Sequence, residues 1–208
     1  MSDGVCSGND TMNEPRSSGP LRIALRELAA WLESQRIPYV LIGGIAASLL
    51  GRPRITQDID VLAVLEEDAW EEFLTSGTRH DFRPRITECL SFARRSRVFL
   101  LRHGATGIGS DVVLAGIPFE KDVVSRGRHT VLADLTVRLP RAEDLILMKL
   151  VAGRPRDIAD VEGLIAAHDA LDWDYVRRWA GEFAAALDAS EIRESVERLR
   201  TKAGGSNA

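Results

Sequence analysis

Cysteine is nearly absent from this sequence, which has only two in 208 residues. Cys6 lies in a polar first segment and Cys89 is far from it, so neither a disulfide framework nor a cysteine metal cluster is predicted. No apolar run reaches the length of a membrane span, and residues 1–20 lack the apolar centre of a secretory signal. These absences predict a cytoplasmic protein with no membrane association.

An excess of positive charge is also missing, because the formal net charge at pH 7 is −4. A negative balance argues against a dominant, diffuse attraction to nucleic acid. Locally the balance reverses, since residues 79–102 contain seven arginines and only two acids. Such a run is either a solvated face or the place where an anionic partner docks, and both interpretations stay open. The arginines are Arg79, Arg83, Arg85, Arg94, Arg95, Arg97 and Arg102.

The remaining composition is ordinary for a globular protein, with 45% hydrophobic and 28% charged residues. Residues 1–20 are rich in Gly, Ser, Asn and Asp, which predicts a disordered tail, and residues 203–208 are predicted to fray. Between them, the hydrophobic spacing predicts an α/β (α+β) unit over residues 21–139, with a small, mixed and partly antiparallel sheet. A helical bundle is predicted over residues 140–202. The chain is therefore one domain with a helical annex, or two small domains.

Strands are predicted where short β-forming runs end at turn residues. They cover residues 39–42, 57–64, 98–101, 108–114 and 135–139, and the third and fourth pair as an antiparallel hairpin. Helices are predicted where apolar side chains recur every three or four residues. They cover residues 21–35, 66–75 and 141–151, followed by three more helices, the first of them capped by Asp157. Residues 88–95 are predicted to be helical or irregular.

The clearest functional motif lies in one stretch, where a buried strand ends at Gly43-Gly44 and a second strand carries Asp58-Ile59-Asp60. The two glycines allow a sharp turn and a close approach by a ligand, because neither has a Cβ. A helix beginning there offers free N–H groups to a phosphate. Asp58 and Asp60 lie two apart on a strand, so they project from the same face. Two carboxylates beside a phosphate cradle form half of a Mg²⁺ site.

A third acid is expected for a site with two metals, and Asp111 is the candidate. It stands at the mouth of an apolar strand, where an unpaired charge would be costly to bury. Lys149 is the cation of an otherwise apolar stretch, so it either snorkels to water or contacts a triphosphate. A charged junction follows it, formed by Arg154, Arg156, Asp157 and Asp160. Glu120 either orients a ligand or, as is usual for a loop acid, is only solvated.

These residues resemble the signature of the polymerase-β-like nucleotidyltransferase superfamily, over about residues 36–167. The segment from Arg141 through Lys149 to Asp160 resembles the AbiEii-like group, which includes toxins of type IV toxin–antitoxin systems. The toxin pattern usually has Gly-Ser, whereas Gly44 makes this turn more similar to enzymes that nucleotidylate antibiotics. The resemblance implies a sheet of the nucleotidyltransferase type, with residues 21–139 as the catalytic domain.

The resemblance also implies roles for individual residues. Asp58, Asp60 and Asp111 would hold Mg²⁺, with Mn²⁺ as a substitute, and Gly43 and Gly44 would grip the triphosphate of an NTP such as ATP. NMP would pass to a hydroxyl while pyrophosphate leaves. Three acceptor hypotheses remain: RNA (a tRNA end) or a partner protein; a small hydroxylated molecule such as an aminoglycoside; or no acceptor, in a non-catalytic, antitoxin-like nucleotide-binding protein. The sequence does not decide the oligomeric state.

Overall fold

The computed structural model describes residues 19–132 and 134–205. The predicted tail lies outside the described residues except for Gly19 and Pro20, and Pro20 begins the first helix, α1 (Pro20–Ser34). Proline suits this position because it lacks the N–H that a first helical residue leaves unpaired. At the other end, residues 203–205 of the segment predicted to fray belong to the last helix. Residues 206–208 lie outside the described ranges.

The main sheet has five strands in the order β1–β2–β5–β4–β3. The pair β2 and β5 runs parallel, and the other three neighbouring pairs run antiparallel. The prediction of a small, mixed and partly antiparallel sheet is thus confirmed, although the short strand β3 was not predicted. The strands are β1 (Tyr39–Ile42), β2 (Asp58–Ala63), β3 (Phe82–Pro84), β4 (Val98–His103) and β5 (Gly109–Leu114).

Short helices connect these strands. They are α2 (Gly43–Leu50), α3 (Trp70–Gly77), α4 (Cys89–Ser96) and α5 (Pro118–Ser125). Residues 88–95, predicted to be helical or irregular, mostly belong to α4. The interpretation of Glu120 as a solvated loop acid is wrong, because Glu120 lies in the first turn of α5. Its Oε2 accepts the backbone N–H groups of Gly116 and Ile117 at 2.6 and 3.2 Å, which satisfies donors at the start of that helix.

One face of the main sheet is closed by an aromatic core. Trp31 on α1 stacks on Phe73 of α3 with 4.1 Å between ring centroids, and it also faces Phe82 on β3. Phe99 on β4 continues the cluster, 5.7 Å from Phe73. Because side chains alternate along a strand, residues adjacent to Phe99 point to the opposite face. That opposite face carries the polar side chains.

The strand predicted at residues 135–139 is confirmed as β7 (Leu135–Leu139), but it pairs with an unpredicted strand, β6 (Arg128–Leu132), in a separate sheet. Four helices follow: α6 (Ala142–Ala152), α7 (Pro155–Ala166), α8 (Trp173–Leu187) and α9 (Ser190–Gly205). Both α6 and α7 pack against α2, so they border the Gly-Gly turn. None of the described helices has the length and apolar character that a membrane span requires.

Candidate active site

Three acidic residues lie on the sheet face opposite the aromatic core. Asp60 on β2 is directly opposite Asp111 on β5, and Asp58 is opposite Gly109. Residues in register on neighbouring strands point to the same side, so the three carboxylates share one surface. They line a cavity of about 480 Å³ together with Gly43, Gly44 and Lys149. All six residues that the sequence singles out therefore border one cavity.

The glycine turn is fitted to Asp60. Gly43 has a φ of +62°, and a Cβ built there would lie 1.9 Å from Oδ2 of Asp60. Only glycine adopts this backbone conformation without strain and leaves room for the carboxylate. The next residue, Gly44, donates its backbone N–H to the same carboxylate. The start of α2 therefore contacts Asp60 directly, which the sequence spacing did not reveal.

Gly109 makes a second close approach that the sequence analysis missed. A Cβ at this position would lie 2.6 Å from Oδ1 of Asp58. Since Gly109 and Asp58 are partners across the parallel pair, a larger residue there would displace the first acid of the motif. The signal was present as the glycine two residues before Asp111.

The surroundings of Asp60 disfavour its ionised form. Burial raises the pKa of Asp60 above its ordinary value, and the negative charge of Asp58 raises it further. The hydrogen bond from Gly44 and the charges of Arg154 and Arg156 act in the opposite direction without cancelling the increase. A nearby cation would therefore be favourable.

Asp111 has the same character. Burial raises its pKa, the guanidinium of Arg85 lowers it, and the charges of Asp60 and Asp58 raise it again, so that the net shift is upward. Arg85 donates Nη2 to Oδ1 of Asp111. Within the described ranges, no three His, Cys, Asp or Glu side chains are gathered as a complete metal site. Arg85 binds Oδ1 of Asp111, the acid that would complete a set of three metal ligands with Asp58 and Asp60.

The three acids nevertheless fit a divalent cation. All donors are carboxylate oxygens, which suit Mg²⁺ or Mn²⁺ better than Zn²⁺. Asp60 and Asp111 have raised pKa values, chiefly through burial and also through the negative charge of Asp58 beside both of them. A bound cation would relieve that repulsion, with Asp58, Asp60 and Asp111 as the residues that hold it.

Lys149 is not a snorkelling lysine, because it is only 5% exposed. Its Nζ donates to Oδ1 of Asp157 at 3.1 Å and to Oδ2 of Asp160 at 2.7 Å. Burial acts to raise the pKa of both aspartates, but hydrogen bonds and charges from their cationic partners outweigh it and hold both pKa values below the ordinary range. The prediction that Asp157 caps its helix is wrong, since the N-cap is Arg154.

Three arginines that sequence analysis left without a defined role also line the cavity: Arg54, Arg154 and Arg156. Arg54 lies in the loop between α2 and β2, and the other two lie at the junction of α6 and α7. The cavity therefore has an acidic wall on the sheet and a basic wall on the helices. The sequence feature that could have indicated Arg54 is the Arg-Pro-Arg run between the Gly-Gly turn and the strand that carries Asp58 and Asp60.

The arginine run does not act as one surface. Arg97 donates Nε and Nη2 to the backbone carbonyls of Leu114 and Ala115 at 3.1 and 2.9 Å, which makes it structural. Arg94 pairs with Glu67 on the outside. The guanidinium of Arg97 is therefore engaged by the backbone at the end of β5.

Another part of the run does border the acids. Arg83 and Arg102 are partners across β3 and β4, and Arg102 is the partner of Gly109, which in turn faces Asp58. Strand alternation places these side chains on the acidic face. We call Arg83, Arg85 and Arg102 the arginine patch. Arg83 and Arg102 are exposed, whereas the side chain of Arg85 is 26% exposed and pairs with Asp111.

The comparisons with known proteins agree with this geometry. The structure is similar to that of the antibiotic-resistance factor ANT(2'')-Ia, with a TM-score of 0.52 and 14% identity over 91% of this chain and 97% of that one. It is also similar to the lincosamide antibiotic adenylyltransferase LnuA bound to lincomycin, with a TM-score of 0.51 and 14% identity over 70% and 96% of the two chains. The fold is that of a nucleotidyltransferase. At this identity, the likeness extends to the fold alone.

A sequence-family model adds a match in the second half of the chain. Residues 128–202 match the family described as nucleotidyltransferase of unknown function (DUF6036). That range includes Lys149, Asp157 and Asp160, whereas the three strand acids precede it. No curated protein matches the chain in sequence.

Proposed function

We propose that this protein is a nucleotidyltransferase that moves NMP from an NTP to a hydroxyl group of RNA. The observation that carries the proposal is a single sheet face on which Asp58, Asp60 and Asp111 continue into the arginine patch. The acids suit a metal-bound triphosphate. The arginines suit an acceptor that carries phosphates, because a guanidinium fork binds two phosphate oxygens at once.

The reaction makes one P–O bond and breaks another. The acceptor hydroxyl attacks the α-phosphorus, and pyrophosphate leaves with the electrons of the broken bond. Bound Mg²⁺, or Mn²⁺, supplies neutralisation of phosphate charge and a lower pKa for the attacking hydroxyl. Asp111, which lies on the same face as Asp58 and Asp60, accepts the hydroxyl proton. Arg54, Arg154 and Arg156 hold the phosphates from the opposite wall of the cavity.

The charge of the patch distinguishes among acceptors. The two structural neighbours are an antibiotic-resistance factor and an adenylyltransferase of lincosamide antibiotics. An aminoglycoside is polycationic, and the exposed Arg83 and Arg102 beside the reacting acids would repel it. RNA carries a negative charge on every nucleotide, so the same arginines would attract it. We therefore place RNA before a small molecule or a partner protein as acceptor.

The test supplies the purified protein with each α-labelled NTP and a panel of acceptors: total RNA, an RNA-free cell lysate, aminoglycosides and lincosamides. We expect Mg²⁺-dependent label on RNA and none with Asp60→Asn. Label on an antibiotic or on a protein would replace RNA as the acceptor. Absence of transfer to any acceptor, from an enzyme shown to bind NTP, would contradict the catalytic assignment.

A double variant tests the arginine patch itself. Arg83→Ala/Arg102→Ala should lower RNA affinity and reduce the salt dependence of binding by up to about one unit of log–log slope for each phosphate that the patch no longer binds. Arg94→Ala is the matched control, because Arg94 is equally exposed but pairs with Glu67 away from the acids. An unchanged slope in the double variant would show that RNA does not follow the patch.

A toxin–antitoxin setting and a cytoplasmic location remain predictions from the sequence. A toxin of this class would stop growth when its expression is induced, and Asp60→Asn would abolish the arrest. Growth that continues under wild-type expression would contradict the toxin prediction and leave the transferase proposal unaffected.

A further inference from the structure

The basic wall of the cavity is organised by a line of five alternating charges: Arg54, Asp160, Lys149, Asp157 and Arg154. Asp160 accepts from Arg54 through both oxygens, Nε to Oδ1 at 2.8 Å and Nη2 to Oδ2 at 3.1 Å. Lys149 donates to both aspartates, and Arg154 donates Nε to Oδ2 of Asp157 at 2.8 Å. The line joins the loop before β2 to α6 and α7.

Burial separates the centre of this line from its ends. Lys149, Asp157 and Asp160 are 5%, 1% and 8% exposed, whereas the side chains of Arg54 and Arg154 are 35% and 57% exposed. Two of the three N–H donors of Lys149 are committed to carboxylates. With three cations and two aspartates, the line keeps one net positive charge, and the exposed arginines at its ends present that charge to the cavity.

Arg54 lies where a triphosphate would need a cation. Its Nη2 is 3.1 Å from the position of a Cβ built on Gly44, so the guanidinium borders the first turn of α2. Asp160 uses the Nε–Nη2 edge of that guanidinium. Nη1 makes one long contact of 3.4 Å with the carbonyl of Ile55. The Nη1–Nη2 edge therefore remains for a bidentate contact with phosphate.

We propose that Asp160 is a positioning residue that holds Arg54 as a fork for the triphosphate of the NTP. The proposal rests on the proposed function and adds two assignments to it. Arg54 contacts the phosphates in an orientation that Asp160 fixes. Lys149 links the two aspartates of α7 and does not itself bind the nucleotide, which replaces the sequence-based assignment of Lys149 as a nucleotide ligand.

The test compares the affinities for ATP, GTP, CTP and UTP with those for the corresponding nucleosides, by calorimetric titration in Mg²⁺. Arg54→Ala and Asp160→Asn should each weaken NTP binding about 10- to 100-fold, the range for hydrogen bonds to charged groups, and leave nucleoside binding unchanged. In the Arg54→Ala background, Asp160→Asn should add less than about twofold, because it acts through Arg54. Glu197→Gln, the analogous change in an exposed ion pair of α9, is the control.

A conservative variant covers the case in which Asp160→Asn fails to fold. Arg54→Lys keeps the charge and can still pair with Asp160, but it lacks the planar fork, so we expect NTP affinity to fall nearly as far as in Arg54→Ala. Wild-type NTP affinity in Arg54→Lys, or equal decreases for NTP and nucleoside in Arg54→Ala, would overturn the proposal. If the wild-type protein binds NTP and all variants match it, only this inference fails. If the wild-type protein binds no NTP, the proposed function fails with it.

Discussion

Asp60 and Asp111 are direct partners across β2 and β5, the parallel pair of the main sheet. A parallel register places two residues that are far apart in sequence on one face at the spacing of neighbouring strands. Both have pKa values above the ordinary aspartate range, chiefly because they are buried. The two ionised carboxylates therefore destabilise the fold when no cation is bound, and they favour the binding of a cation.

Replacement of Asp60 or Asp111 should separate activity from stability. We expect Asp60→Asn and Asp111→Asn to reduce NMP transfer on the order of 100-fold or more, as loss of a group that stabilises transition-state charge does. In metal-free buffer, the Tm should stay the same or rise, because a partly buried negative charge is removed. Thermal melts and single-turnover transfer measure the two effects. Wild-type transfer by either variant would remove that residue from the metal set.

Gly43 has a matched control in Gly107. Both have positive φ, +62° and +72°, but a Cβ at Gly107 would meet no atom within 4 Å, whereas at Gly43 it would meet Asp60. Gly107→Ala should lower the free energy of unfolding by about 1–2 kcal/mol through left-handed strain. Gly43→Ala should lower it by at least as much, because its Cβ also displaces Asp60. Transfer and Mg²⁺ affinity should fall in Gly43→Ala alone. Equal activity in the two variants would mean that the turn does not position Asp60.

Arg95 and Arg97 are two residues apart, but we expect their substitution by alanine to have different effects on stability. Arg97→Ala should destabilise the protein by about 1 kcal/mol, because the carbonyls of Leu114 and Ala115 would no longer have their side-chain donors. Arg95→Ala, at an exposed position of α4, should stay within about 0.5 kcal/mol of wild type. Urea unfolding measures both. If Arg95→Ala is the more destabilising variant, the structural role assigned to Arg97 is incorrect.

The buried aspartates of α7 predict a pH dependence of stability. The folded-state pKa of Asp160 lies below its ordinary value, because the cationic partners outweigh the effect of burial. Its ionised form therefore stabilises the fold fully above the ordinary aspartate pKa of about 3.9, and this contribution is lost as the pH falls through the lowered folded-state value. The Tm difference between wild type and Asp160→Asn should be constant near neutral pH and shrink below about pH 4. A difference that persists undiminished in strong acid would contradict the linkage.

Local patterns explain which parts of the fold were predictable. The run Tyr39–Ile42 and the alternation around Asp58–Asp60 each contain enough β-forming residues to be recognised without their neighbours. The strand β3 has only three residues, one of them Pro84, so it has no alternation to detect. The strand β6 is mostly exposed or half-buried, and its partner β7 alone carries the buried alternation.

The candidate site also contains some residues that local sequence patterns predict and others that depend on tertiary packing. Spacing along one strand was sufficient to pair Asp58 with Asp60, and chemistry was sufficient to choose Asp111. The role of Lys149 depended on two aspartates from the next helix, and nothing in the spacing shows that a helix turns back to bury them against it. The fork between Arg54 and Asp160 joins residues more than one hundred positions apart. Such a contact requires the packing of α7 against α2, which no single segment specifies.

The parallel register of β2 and β5 also sets an order of assembly. The hairpin of β4 and β5 closes over a few residues, whereas α3, β3, α4 and β4 separate β2 from β5 in the sequence. Long loops close later because their closure entropy is larger. We therefore expect the two halves of the acid set to meet late in folding. A cation bound across both strands would stabilise the native state by mass action and slow its unfolding, so metal availability would govern how long each folded molecule survives.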